Sequence, residues 1–347
     1  KNLLSGRDKE LQELAEQYEA AMSENKPFYQ DADELADLAD WYGTKKRYDK
    51  AFEIVEYGLK LHPDSTELMI EYAYLHLDNG KQAKAREIIE NLPDTYSPEA
   101  KVVRAHLLLS EGKLDDAEQL LDTIEDKADL ANVVDVSYMY LDMGYPDKAL
   151  AWLDPVKEEY SDEEAYIAVV ADCLYGKGMT EEAIPLYNRL IDMNPYSAPY
   201  WFGLARCHFE EMNFNQAIDA CDYALVGDDE FADAYVMKGH CFYQLGNEDA
   251  ALEYYQKAEE LHGLAPEFIY TYIGLCKVSK GEWKEGYENL EKAILENETD
   301  EIASPILPSL YANAGLCLSK MGKKRKAHQY CKKAHKLSPA EPESLLI

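Results

Sequence analysis

Three side chains near the end of the chain have the types and spacing of metal ligands. His328, Cys331 and His335 lie at i, i+3 and i+7, which on a helix brings two imidazoles and a thiol to one face, as a zinc site would require. Their surroundings oppose that chemistry, because Lys323, Lys324, Arg325, Lys326 and Lys332 crowd the same stretch and repel a cation. We therefore expect no metal there and assign the three residues to a helix face that packs into the core. The remaining chemistry-bearing residues are no more suggestive of catalysis. The sequence holds no glycine-rich phosphate loop, no zinc-protease helix motif, no Cys-x2-Cys pair and no calcium loop. No enzyme activity and no cofactor are expected from this chain.

The cysteines instead report an element length. Cys173, Cys207, Cys241, Cys276 and Cys317 recur at steps of 34, 34, 35 and 41 residues. Small residues carry the same beat along the whole chain, at Ala51, Ala85, Ala117, Ala149, Ala183, Ala217, Ala251, Gly286 and Ala327. With that small residue set as position 20 of a unit, the unit beginning at Ala198 places Trp201, Leu204 and Ala205 on the buried face of a first helix. Ala217, Cys221 and Ala224 then mark the buried face of a second. Small residues let the two backbones approach and the larger ones fill the space beside them. In the preceding unit Gly178 ends the first helix and Pro195 follows the second. Units start near residues 32, 66, 98, 130, 164, 198, 232, 267 and 308, and the two 32-residue steps among the early units predict shortened connections there.

This register resembles the tetratricopeptide repeat (TPR), whose pattern sets Trp, Leu, Gly, Tyr, Ala, Phe, Ala and Pro at fixed places in about 34 residues. The first unit follows it through Leu35, Leu38, Ala39, Tyr42, Ala51, Val55, Gly58 and Pro63. Gly239, Gly274 and Gly315 occupy position 8 of units seven to nine. The resemblance implies an all-α fold, a right-handed α-solenoid of about nine stacked helix-turn-helix units, with each repeat packed only on its neighbours. It divides the chain into an N-terminal capping helix (1–31), TPR units one to eight (32–298), an inserted loop (299–307) that could act as a hinge, a basic last unit (308–341), and a C-terminal cap or truncated helix (342–347).

Equivalent positions on stacked helices lie about 8–10 Å apart, beyond the Cα separation of about 7 Å that a disulfide tolerates. The seven cysteines therefore read as small buried hydrophobes, and free thiols favour a reducing compartment, the cytoplasm. No stretch is long and apolar enough to cross a membrane. The net charge of −32 disfavours nucleic acid and anionic membrane as partners. Yet residues 302–340 hold no acid and eight basic residues, leaving −40 on the rest. Lys323, Lys324, Arg325, Lys326, Lys332, Lys333 and Lys336 form a candidate docking patch for an acidic partner, or for weak association with a second copy. The alternative is a solvated terminal repeat.

In TPR proteins a ligand usually occupies the concave groove lined by the first helix at positions 2, 5, 9, 12 and 13, so the resemblance implies a groove here too. Positions 5, 9 and 12 carry Ile70, Tyr74 and Leu77, then Val102, His106 and Leu109, then Val134, Tyr138 and Leu141; later units supply Phe202, Arg206, Phe209, Val236, His240 and Tyr243. The groove is thus expected to be apolar and aromatic with few fixed charges. Position 9 singles out Tyr74, His106, Tyr138, Asp172, Arg206 and His240, residue types with little reason to be there for packing, as candidate partner-binding residues beside Phe202, Phe209 and Tyr243. The Lys and Asn set by which chaperone-binding TPRs hold a terminal carboxylate does not occur in this chain, whose first units have Ala36, Asp40 and Glu71 at those places. The expected function is a non-enzymatic protein–protein interaction scaffold or adaptor binding a peptide or helix in the groove. The alternative is the regulatory or substrate-recruiting array of a larger enzyme whose catalytic domain is not in this chain.

Overall fold

A computed structural model of the chain describes residues 5–261, 265–297 and 305–338. Among these residues every regular element is helical, and the elements follow the register of the sequence. An opening helix, α1 (Ser5–Ser23), is followed by pairs. The first helices of successive pairs are α2 (Ala32–Thr44), α4 (Thr66–Asp78), α6 (Pro98–Ser110), α8 (Leu130–Asp142), α11 (Glu164–Gly176), α13 (Ala198–Glu210), α15 (Ala232–Gln244), α17 (Pro266–Ser279) and α19 (Leu307–Lys320). Their partners are α3 (Tyr48–Leu61), α5 (Gln82–Glu90), α7 (Leu114–Leu121), α9 (Pro146–Leu153) with the short α10 (Lys157–Tyr160), α12 (Thr180–Met193), α14 (Phe214–Gly227), α16 (Glu248–Glu260), α18 (Trp283–Asn297) and α20 (Lys324–Leu337).

The recurrent small residue is where helices meet. Ala51, Ala85, Ala117, Ala149, Ala183, Ala217 and Ala251 are completely buried. Position 15, the turn between the two helices of a repeat, is left-handed in every repeat: seven times it is glycine, from Gly80 to Gly322, with φ between +69° and +79°. There the Lys81 amide donates to the His76 carbonyl at 2.8 Å and the Gly80 amide to Leu77 at 2.9 Å, closing the helix end on itself. Lys46 and Met212 are the two exceptions, holding φ of +58° and +59° against the steric cost of a Cβ.

The short steps are resolved differently from the expectation. The second helices contract, α5 to nine residues and α7 and α9 to eight against fourteen in α3, while the connections after α5 and α7 stay long. Pro93 steers Leu92 out of helical geometry. After α7 the Thr123 hydroxyl donates to the Leu120 carbonyl at 2.6 Å. The core contact of the lost turn survives, because Leu92, Ile124 and Val156, all at position 27, are buried from non-α-helical backbone.

The chain forms two compact units, Lys1–Glu211 and Met212–Ile347. The inserted loop expected at 299–307 lies outside the described residues except for 305–307, and the tail at 342–347 lies wholly outside them. In the first unit α1 lays Leu11, Ala15 and Tyr18 into a core with Leu35, Leu38, Tyr42 and Ile54. In the second, α18, α19 and α20 share a core of Leu290, Ile294, Leu310, Leu318 and Ala334. No helix among the described residues is long and apolar enough to cross a membrane.

Candidate functional site: an acidic groove in the first unit

The first helices of repeats one to four begin alike. Asp31, Ser65, Ser97 and Asp129 each accept the backbone N–H three residues on, at 2.9–3.2 Å, and so stabilise the exposed helix start. The shared start gives the four helices one phase. Positions 2, 6, 9 and 13 then fall in a single stripe, by the three- and four-residue spacing of helix neighbours.

That stripe lines a groove of about 720 Å³ running over α2, α4, α6 and α8. Ile70, Tyr74, Leu75, Val102, Tyr138 and Met139 supply an apolar and aromatic floor, and His106 stands beside Tyr74 with ring centroids 5.7 Å apart. The walls are carboxylates: Asp33, Asp37, Asp40, Glu67, Glu71, Asp78, Asp94, Glu99, Asp135 and Asp142 line it, with no Lys or Arg among the described lining residues. The expectation of few fixed charges is therefore corrected. Its floor residues Ile70, Tyr74, Val102 and Tyr138 occur at positions 5 and 9 as read, with Leu75 and Met139 at position 10, but the walls come mostly from Asp and Glu at positions 2, 6 and 13, joined by Asp40 at position 9 and Asp94 from the connection after α5.

Crowding of like charge marks the titrations. Burial in the concave wall, reinforced by Asp78, raises the Asp142 carboxyl to about 6. Asp78 is raised by burial and by Asp40. The Tyr74 phenol is held well above its ordinary value by burial and then by Asp135, Glu71, Asp142 and Asp78. His106 is lowered by burial and stays neutral at pH 7.

Beyond Asp142 the position-9 column changes character. The Asp172 carboxylate accepts from the Tyr138 hydroxyl at 3.2 Å, from the Tyr187 hydroxyl at 2.7 Å and from Arg206 Nη2 at 2.8 Å. The Arg206 guanidinium stacks 4.4 Å from the Tyr175 ring centroid and 5.6 Å from that of Phe202. Gly203 makes room for this, since a Cβ there would collide with the Tyr187 ring. Tyr138, Asp172 and Arg206, 34 residues apart in turn, thus link three repeats, a structural duty that the residue types at position 9 alone did not suggest. Aspartate and arginine neutralise each other here.

The other expected site residues lie apart from this groove. Phe209 is half-buried in α13. In the second unit His240 Nδ1 is 2.8 Å from the Tyr255 hydroxyl and its ring is 4.5 Å from that of Tyr272, and burial lowers it to about 4. Tyr243 packs against the Leu252 and Tyr255 cluster. Lys323, Lys324, Arg325, Lys332 and Lys336 are exposed on and beside α20; Lys326 meets Glu291 at 3.3 Å, and Lys333 donates to the Tyr311 hydroxyl at 3.0 Å. The core face of α20 is Ala327, Cys331 and Ala334, spaced four and three residues apart, so His328 and His335 point outward and their assignment to the core is corrected. All seven cysteines are free and buried. Burial pushes Cys173, Cys207, Cys241 and Cys276 up to about 12, so they behave as hydrophobes rather than nucleophiles.

Comparison with known proteins follows the same register. Family models described as tetratricopeptide repeat match residues 44–105 and 308–341, and one described as anaphase-promoting complex, cyclosome, subunit 3 matches 176–258. Among solved structures the chain is similar to the APC/C hetero-tetramer Cut9-Hcn1, at 15% identity and a TM-score of 0.51, over 90% of this chain and 82% of that one. It is also similar to pilF of Pseudomonas aeruginosa, at 14% identity and a TM-score of 0.54, over 63% of this chain and 96% of that one. At these identities the likeness is one of fold. No curated protein matches the sequence.

Proposed function

Because this chain is a tetratricopeptide repeat protein, we propose that it is a non-enzymatic interaction scaffold that holds a segment of a partner protein in the groove of its first unit. One observation carries the reading. Four helices started by equivalent caps bring the same stripe of residues to one groove, wide enough for a peptide and floored by apolar and aromatic side chains. Tyr74, His106 and Tyr138 offer broad, stiff contact surfaces of the sort that anchor interfaces. Asp172 and Arg206 serve the groove indirectly, by fixing Tyr138 at its far end. An assembly role is in keeping with the family matches, one of which is to a subunit of a multiprotein complex.

The test is selection from a random peptide display library on the full chain, followed by affinity measurement on a groove-blocked variant, Glu99→Trp. Glu99 is an exposed wall residue, so the indole obstructs the groove without entering the core. Selected peptides should lose most of their affinity for the blocked variant. Failure to enrich any peptide, or equal binding to the blocked variant, would refute the reading.

A further inference from the structure

The first and last of the described helices carry opposite charge. Within 324–337, α20 holds Lys324, Arg325, Lys326, Lys332, Lys333 and Lys336 and no acid, whereas within 10–23, α1 holds Glu10, Glu13, Glu16 and Glu19 and no Lys or Arg. Both helices pack by one face. α1 buries Leu11, Ala15 and Tyr18 in the core of the first repeat and leaves Glu10, Glu13 and Glu16 exposed. α20 buries Ala327, Cys331 and Ala334. Positions 21 and 28 are where an inner second helix meets the repeat that follows it: α18 fills them with Tyr287 and Ile294, both buried in the core it shares with α19. In α20 the same positions are His328 and His335, both exposed, and Lys324 and Lys332 stand four residues either side of His328 on that face. A polar outer face keeps a terminal repeat soluble. Solubility alone does not require one end helix to be wholly basic in a chain of net charge −32, nor the other to be wholly acidic.

We propose that α20 of one copy docks along α1 of a second copy, the Lys324 and Lys332 face of the one meeting the Glu13 and Glu16 face of the other. The contact joins two different surfaces, since two α20 faces, or two α1 faces, repel each other. Lys324 and Lys332 lie about 12 Å apart along their helix, and the exposed acids of α1 span about 9 Å along theirs, so one face covers the other. Two copies of net charge −32 repel at long range. At physiological salt the Debye length is about 8 Å, so charge elsewhere on the two bodies is screened while ions across the contact still attract. Exposed ion pairs are individually weak, and the association is accordingly reversible and sensitive to salt. Nucleic acid or an anionic lipid surface would also suit the basic face, but the acidic remainder of the chain repels both.

The assay is sedimentation velocity of the full chain over a concentration series at about 0.15 M and about 1 M salt. Three double variants reverse charge: Lys324→Glu/Lys332→Glu on α20, Glu13→Lys/Glu16→Lys on α1, and Asp115→Lys/Asp116→Lys on α7, outside both faces. All these positions are exposed, and a thermal melt confirms that each variant folds. Gln at the same α20 or α1 positions gives a milder form of the test should a reversal lower the melt. We expect the average mass of the wild-type chain to rise with concentration at the lower salt and to stay that of a monomer at the higher. The α20 and α1 variants should each weaken association at least tenfold, and the α7 variant less than threefold. An equimolar mixture of the α20 and α1 variants should associate again, because the two reversed faces complement each other. A wild-type chain that stays monomeric at both salts would overturn the proposal. So would a loss confined to the α20 variant, which would place the acidic contact elsewhere on the second copy. Equal losses in all three variants, or a mixture that associates no better than its components, would overturn it as well.

Discussion

Replacing Asp172 by Ala should destabilise the first unit more than any other single change at position 9. The carboxylate accepts three hydrogen bonds, from Tyr138, Tyr187 and Arg206, at 3.2, 2.7 and 2.8 Å. Its removal takes this acceptor from two phenols and a guanidinium, although Arg206 Nη2 still reaches the Tyr187 hydroxyl at 3.2 Å. Hydrogen bonds to a charged group contribute about 1.5–3 kcal/mol each when buried. The Asp172 and Arg206 side chains keep 22% and 28% of their surface in water, which partly compensates for the loss. The cost is therefore about 3–5 kcal/mol rather than the full sum. Arg206→Met should cost less, about 2 kcal/mol, because Asp172 keeps both tyrosines and the methionine still fills the space beside Tyr175. The double variant should fall short of additivity by about 1–2 kcal/mol, the coupling expected of residues in one network. Repeat arrays need not unfold in one step, so urea unfolding should be paired with hydrogen exchange of the α11 and α13 amides. Loss of less than about 1 kcal/mol in Asp172→Ala, or additive single variants, would show that this network does not tie the repeats together.

Two further outcomes follow from the titrations and the turns. The Asp142 carboxyl is raised from 3.8 to about 6 in the folded chain, so folding favours its protonated form; the associated stability is complete below about pH 4 and is lost as pH rises through 6. Asp142→Asn should thus be neutral at pH 4 and stabilising at pH 7.5, by about 1 kcal/mol at most once solvent screening of this accessible side chain is allowed for; a pH-independent effect in chemical denaturation would contradict the assignment. Met212→Gly and Lys46→Gly should each raise stability by about 1 kcal/mol, since both residues hold a left-handed turn that glycine adopts without a clash. A fall in thermal midpoint for either would mean that the side chain contributes more than the turn strain costs.

Sequence alone determined the fold because each repeat repeats its own physics. A small residue at one helix crossing and a left-handed turn at position 15, usually glycine, are local requirements, and they recur at a spacing that leaves only stacked helical pairs. The start of every first helix is therefore legible to within a residue, and so is the burial of Ala51, Ala183 or Cys173. The contraction of α5 and α7 was less so, because a core contact at Leu92 or Ile124 looks the same in sequence whether helix or turn delivers it. The site was half legible. Tyr74, His106 and Tyr138 are where the register puts them, but the groove's charge depends on which of Asp33, Asp78, Asp135 and Asp142 come together from four different helices. Position 9 likewise mixes roles that only packing separates, with Tyr74 facing the groove and Asp172 spent on Tyr187 and Arg206. Periodicity reports what one helix shows its neighbour, whereas electrostatics sums over every charge within several ångströms, and that sum exists only once the helices are assembled.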